Sequence, residues 1–197
     1  RVFPDLEALS QEAAALFVQE ANRALAARGR FGVALSGGLT PRRTYELLAQ
    51  PHFRDQVPWG QMHVLWGDER CVPLTGPRSN AGMAYRALLS QVPIPASQVH
   101  PLACEDFPRE AARRYEELLR AYFAGGSSRL DLVFLGLGVN GHTAALFPGH
   151  AVLKETKRWV APVTGPGLDL HRVTLTPVLI NRAAVVAFLV AGAAKAW

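Results

Sequence analysis

Phe31, Gly32, Val33, Ala34 and Leu35 form an apolar run that ends on Ser36, Gly37, Gly38, Leu39, Thr40 and Pro41, after which Arg42 to Gln50 takes up helical spacing. A short apolar run, a glycine turn and a helix together make the unit from which α/β folds are built. The pattern extends outward in both directions. Ahead of it, Leu6, Leu9, Ala13, Leu16, Phe17 and Ala24 keep one face of a helix that Gly29 is placed to stop. Behind it, Met62 to Trp66 reads as a second strand ending in Gly67, Asp68, Glu69 and Arg70, and a proline-bearing loop leads to Ser79 and Asn80, a cap for a helix through Leu89. Glu105 to Phe123 reads as a long helix closed by Gly125 and Gly126, and Leu130 to Leu135 as a third buried strand. Trp159 to Val163, Val173 to Thr176 and Val185 to Ala191 supply three more. Strands apolar throughout, alternating with helices, predict a Rossmann-like three-layer α/β/α fold around a mostly parallel central sheet.

The 197 residues suit one α/β domain, 1–197, and no linker, repeat or charge block divides them. The net charge of +5 comes from 21 basic and 16 acidic residues, and the basic ones are arginine except Lys154, Lys157 and Lys195. They are scattered, without the alternation of basic and aromatic side chains that a nucleic-acid groove shows, so a small anion is the better-suited ligand. The longest apolar stretch, Ala183 to Gly192, is half of the ~20 residues that cross a bilayer, and no signal peptide is legible. With Cys71 and Cys104 as the only cysteines, no disulfide is expected, and the expected location is cytoplasmic.

Four segments at strand ends carry the chemistry, where sheets of this kind place their ligands. Ser36 to Pro41 fits a phosphate cradle built from backbone N–H groups and a helix N-terminus; it equally fits a tight turn with Thr40 as N-cap and Pro41 as the first helical residue. It is no Walker loop, since no lysine follows. Gly136-Leu137-Gly138-Val139-Asn140-Gly141 matches G-x-G-x-x-G, but Pro148-Gly149 interrupts where a dinucleotide fold needs a full crossover helix, so NAD is rejected. What remains is a glycine-rich strand end that presents His142, an imidazole suited to proton transfer near neutrality. Asp68 and Arg70 offer a second candidate base and a guanidinium that binds phosphate or pairs with its acidic neighbours. Arg172 and Lys195 add positive charge near other strand ends. No pair of histidines or cysteines has metal-ligand spacing, and no G-x-S-x-G is present.

Taken in order, Ser36-Gly37-Gly38-Leu39-Thr40-Pro41, Trp66 to Arg70, Ser79-Asn80, Leu135 to Pro148 and Arg172 to Thr176 resemble the 6-phosphogluconolactonase family of the glucosamine-6-phosphate isomerase/deaminase-like superfamily, from Ser36 to Lys195. The resemblance implies hydrolysis of 6-phospho-D-glucono-1,5-lactone to 6-phospho-D-gluconate, in the oxidative branch of the pentose phosphate pathway, with no cofactor and no metal. It makes His142 the base that activates water, with Asn140, Arg70 and Asp68 as further catalytic candidates. It lays the 6-phosphate on the turn of Ser36, Gly37, Gly38 and Thr40, with Arg70, Arg172 and Lys195 as charge partners. Two departures stand out. Asn140 replaces the aspartate most relatives carry before Gly-His, and the chain ends at Trp197 where relatives continue through a helix and a strand, so the domain is expected to lack its C-terminal part. The alternatives are a glucosamine-6-phosphate deaminase-like enzyme, whose carboxylates are here Asn140 and Phe147, and a non-catalytic sugar-phosphate sensor, for which no helix-turn-helix precedes Leu6. The expected partner is the phosphosugar lactone alone, with no nucleic acid or membrane, and the expected state is a monomer.

Overall fold

The computed structural model describes residues 1–105, 107–165 and 168–195. Helix α1 (Leu6–Arg28) is capped by Asp5, whose side chain accepts from the Ala8 N–H, and stops at Gly29 in the left-handed region, φ +70. Strand β1 (Phe31–Leu35) follows, then α2 (Leu39–Leu48) and the single turn α3 (Pro51–Arg54). Strands β2 (Met62–Trp66) and β3 (Asp68–Arg70) are separated by Gly67 alone. Helix α4 (Asn80–Ala84) runs directly into a π-helical turn, Tyr85–Leu89, and α5 (Pro108–Tyr122) leads to β4 (Leu132–Leu135). Strands β5 (Val160–Val163) and β6 (Arg172–Leu175), the turn α6 (Pro177–Ile180) and β7 (Val185–Phe188) complete the order. The expected domain limits and long helix include residues 106, 166, 167, 196 and 197, which lie outside the described residues. No described helix is long and apolar enough to cross a membrane.

The central sheet is parallel, in the order β2-β1-β4-β7. Helices cover both faces. Phe31 meets Phe17 of α1 edge-to-face at 5.3 Å, and Phe17 stacks on Phe134 of β4. On the other face a Cβ at Gly32 would overlap the Tyr122 hydroxyl of α5. Burial of both faces explains why β1 and β4 are apolar at every position, the feature that made them legible in sequence.

Two of the expected strands lie outside the central sheet. Strands β5 and β6 pair antiparallel, and β6 pairs antiparallel with β3, forming a second sheet in the order β3-β6-β5. The connection over residues 164–171 is too short for a parallel crossover, which takes a dozen or more residues. The two sheets join at Gly67: its N–H donates to Leu35 O of β1, and its carbonyl accepts from Leu175 N–H of β6. Helix α2 also departs from expectation. It starts at Leu39 with Gly38 as N-cap, at φ +102, so Thr40 is no cap and Pro41 lies inside the first turn. The long helix starts at Pro108, a residue suited to the first helical position, and not at Glu105.

Cys71 and Cys104 form a disulfide, contrary to expectation. They are 33 residues apart in sequence, but the chain leaving β3 passes the segment ahead of α5, which brings their Cα atoms within 4.5 Å. Pairing of this kind is a tertiary event that spacing does not reveal, and it removes the cysteine-based ground for a reducing compartment. A closed loop of this length restricts the unfolded chain by about 3–4 kcal/mol in the chain-entropy account. The double substitution Cys71→Ser, Cys104→Ser is expected to lower guanidinium unfolding stability by about 2–4 kcal/mol. Reductant should do the same to the wild type and nothing to the variant; equal stability of the two proteins would show that the bond carries no net stabilisation.

Candidate active site

The order β2-β1-β4 reverses direction between β1 and β4, so the turns leaving their carboxyl ends diverge and open a crevice. A cleft of ≈ 360 Å³ lies there, lined by the Ser36–Pro41 turn, Asp68, Arg70, Asn80, Gly136–Gly138, His142–Ala144, Arg172, Leu189–Ala191 and Lys195. All the sequence-predicted site residues line it except Asn140, whose Oδ1 lies within hydrogen-bond distance of His142 Nδ1.

Two buried tyrosines hold the strand ends that frame the cleft. The Tyr45 hydroxyl of α2 accepts from Ser36 N–H and donates to Ser36 O, both at 2.9 Å. The Tyr115 hydroxyl of α5 accepts from Trp66 N–H at 2.8 Å. Burial raises the pKa of both phenols, so they remain neutral donors.

Asn80 and Glu69 organise the next layer. Glu69 is fully buried, and its carboxylate accepts from the N–H groups of Arg70, Asn80 and Ala81 and from the Ser79 hydroxyl. Burial pushes its pKa up and these four donors oppose that rise. Asn80 donates from Nδ2 to Asp68 O at 2.9 Å and accepts at Oδ1 from Arg70 Nη1 at 2.7 Å. Its amide fills the space that a Cβ on Gly37 would need. Gly37 is therefore required by a neighbouring side chain as well as by any ligand, which the reading of the turn as a phosphate cradle alone did not capture. Asn80 was legible in sequence only as a helix cap, and Glu69 only as part of an acidic pair.

Asp68 is buried beside these groups, with Arg172 Nη1 3.9 Å from its carboxylate. Burial is the largest influence on its pKa, with the Glu69 charge adding to it; Arg172, Arg70 and Asn80 pull the other way, and the result is about 6. Arg172 is buried too, bonded to Asp169 at 3.2 Å, and its Nε has no partner among the described residues. Arg172 also lines the cleft, so its guanidinium brings positive charge to that wall.

His142 stands at the tip of the turn after β4. Gly138 N–H bonds His142 O at 2.7 Å, Thr143 Oγ1 donates to Gly136 O at 2.7 Å, and a Cβ on Gly138 would overlap the imidazole. The ring folds over Gly138 because that residue is glycine. Its Nδ1 lies 2.5 Å from Asn140 Oδ1, an acceptor that places the proton on Nδ1 and leaves Nε2 with its lone pair. Burial lowers the pKa of His142, and Arg172, Lys195 and Arg70 lower it further. Beyond it, Ala144 is the one non-glycine residue with positive φ among those described, at +48, in the tight turn closed by Leu146 N–H to Thr143 O. A residue held there by its surroundings marks a segment whose shape is over-determined.

The raised pKa of Asp68 has a measurable sign. Between about pH 4 and 6 the unfolded chain has lost this proton while the folded protein keeps it, so the group removes stability as pH rises, on the order of 3 kcal/mol in all. Guanidinium unfolding across this range is expected to show Asp68→Asn gaining on the wild type by up to that amount. A constant difference from pH 4 to 7 would mean that Asp68 titrates normally.

A sequence model of the family described as glucosamine-6-phosphate isomerases/6-phosphogluconolactonase matches residues 4–197. The chain is 46% identical, over 88% of its length, to the 6-phosphogluconolactonase of Synechocystis sp., and 38% identical, over 99%, to the probable chloroplastic 6-phosphogluconolactonase 3 of Oryza sativa subsp. indica. It spans 71% of the first of these proteins and 62% of the second. Its fold superimposes on the 6-phosphogluconolactonase of Trypanosoma brucei with a TM-score of 0.86 at 30% identity, covering 100% of this chain and 83% of that one. The chain belongs to the family of glucosamine-6-phosphate isomerases and 6-phosphogluconolactonases.

Proposed function

We propose that the cleft hydrolyses 6-phospho-D-glucono-1,5-lactone to 6-phospho-D-gluconate. The observation that carries this reading is His142 held by Asn140 as a neutral base, in a cleft whose walls also present Arg70, Arg172 and Lys195. The reaction needs one base, one water and a seat for a phosphate, and each has a candidate here.

His142 Nε2 takes a proton from water as the oxygen adds to the C1 carbonyl carbon. The tetrahedral intermediate collapses by breaking the bond from C1 to the ring oxygen. The departing alkoxide takes the proton back from the imidazolium, and the new carboxylic acid ionises in water. General base catalysis of this kind supplies about 10²–10⁴-fold. The 6-phosphate lies on the turn of Ser36, Gly37, Gly38 and Thr40 at the N-terminus of α2, where the helix dipole favours an anion, and Arg172 and Lys195 balance its charge. Arg70 has one amino group committed to Asn80 Oδ1 and Arg78 O, so it acts as a fixed charge. The deaminase reading fits less well: transfers at carbon and oxygen call for further acids, and the loop after β4 offers Asn140 and Phe147 in their place.

The decay of freshly generated lactone, coupled to 6-phosphogluconate dehydrogenase, tests the proposal. The wild type is expected to accelerate it, and His142→Ala to lose about 10²–10⁴ of that acceleration. A wild type that leaves the spontaneous rate unchanged but gains thermal stability from added 6-phosphogluconate would be a sugar-phosphate sensor. In Asn140→Asp a carboxylate replaces the amide at Nδ1 and favours the imidazolium. The acidic limb of kcat/KM, set in the wild type by the lowered His142 pKa, should then move to higher pH. An unmoved limb would remove His142 from the role of base.

A further inference from the structure

The hydrogen bond from His142 Nδ1 to Asn140 Oδ1 holds one edge of the ring, which folds over Gly138. A further contact bears on the plane of the ring. The face of the imidazole lies on the ring of Phe147, with centroids 4.4 Å apart and planes 25° from parallel. Phe147 is itself well held. It is buried, it follows directly on the tight turn closed by Leu146 N–H to Thr143 O, and Pro148 comes next. The guanidinium of Arg172 sits 5.4 Å from its centroid and His150 packs at 5.5 Å.

We propose that Phe147 is a positioning residue for the hydrolysis: its ring fixes the plane of the His142 imidazole, so that Nε2 is presented to the cleft in one orientation. Asn140 sets which nitrogen carries the proton; Phe147 sets where the other one points. The contact has an electrostatic side as well. Arg70, Arg172 and Lys195 all oppose a positive charge on His142, whereas the negative face of an aromatic ring favours it. Phe147 thus supports the imidazolium that forms when water is deprotonated, in a site where no carboxylate among the described residues bonds the His142 ring. The same ring carries Arg172, so base and cation share one apolar support.

The kinetic part of this inference rests on the hydrolase reading, so the test has an arm that does not need turnover. In the free wild-type protein the ring current of Phe147 should displace the His142 Hε1 NMR signal upfield, and the signal should return toward the ordinary histidine position in Phe147→Leu but not in Phe147→Tyr. In lactone hydrolysis Phe147→Leu is expected to lose about tenfold in kcat with KM changed less than about twofold, and its acidic limb should move to lower pH. Phe147→Tyr keeps the ring and should restore both. Should the leucine variant fail to fold, Phe147→Met, which keeps most of the volume without a ring, takes its place. An undisplaced His142 signal in the wild type, or a ringless variant with unchanged kcat and limb, overturns the proposal. A wild type with a displaced signal but no hydrolysis overturns the hydrolase reading and leaves the stack standing.

Discussion

The carboxylate of Glu69 is the fixed point of the cleft wall. Four donors converge on it from the segments on either side of the excursion over residues 71–78, so that β3 and the start of α4 are tied to one buried carboxylate. Through that tie Asn80 is brought to Asp68, to Arg70 and against Gly37. A buried carboxylate with fewer donors would be costly enough to protonate or to rearrange. With all four it becomes a rigid joint, and the side chains that line the cleft inherit its precision.

The second constraint is Gly67, which makes the small antiparallel sheet an extension of the parallel one. Its N–H is spent on β1 and its carbonyl on β6. Only because the chain changes sheets there do Asp68 and Arg70 leave the β2 end of the central sheet and meet Arg172 above the crevice between β1 and β4. The parallel sheet provides the crevice and the turns that open it; the antiparallel sheet provides charged wall residues.

This division explains what could be read from residues alone. Strands β1, β2 and β4 announced themselves because burial on both faces leaves few polar positions, and the glycine turns at their ends located the cleft. Strands β5 and β6 were legible as strands but not as members of another sheet, since an apolar run records burial and not its neighbour. His142 was legible because an imidazole between a glycine and a threonine at a strand end has few structural reasons to be there. Its support was not: the Phe147 stack depends on a turn that bends through a positive φ at Ala144, a residue type that gives no warning of one. Glu69 and Asn80 looked like an acid beside another acid and a helix cap, because their partners converge only in the fold. The disulfide between Cys71 and Cys104 was hidden for the same reason.

The arrangement of charge around His142 has a logic that the single residues do not show. Burial, and after it Arg172, Lys195 and Arg70, disfavour the imidazolium in the free protein, which readies a base but weakens its affinity for the proton it must take. On the proposed reading the substrate brings a phosphate carrying nearly two negative charges to these cations. Bound there, it offsets the field that lowers the pKa of His142, so the imidazole becomes a stronger base when the lactone carbonyl arrives. Burial remains the larger influence on the ring, and the pairing of the cations adjusts it. A carboxylate on Nδ1 would raise the basicity of the ring permanently, with or without substrate. An amide holds the same tautomer and leaves the adjustment to the ligand, which gives Asn140 a physical role in place of the aspartate that the family pattern leads one to expect.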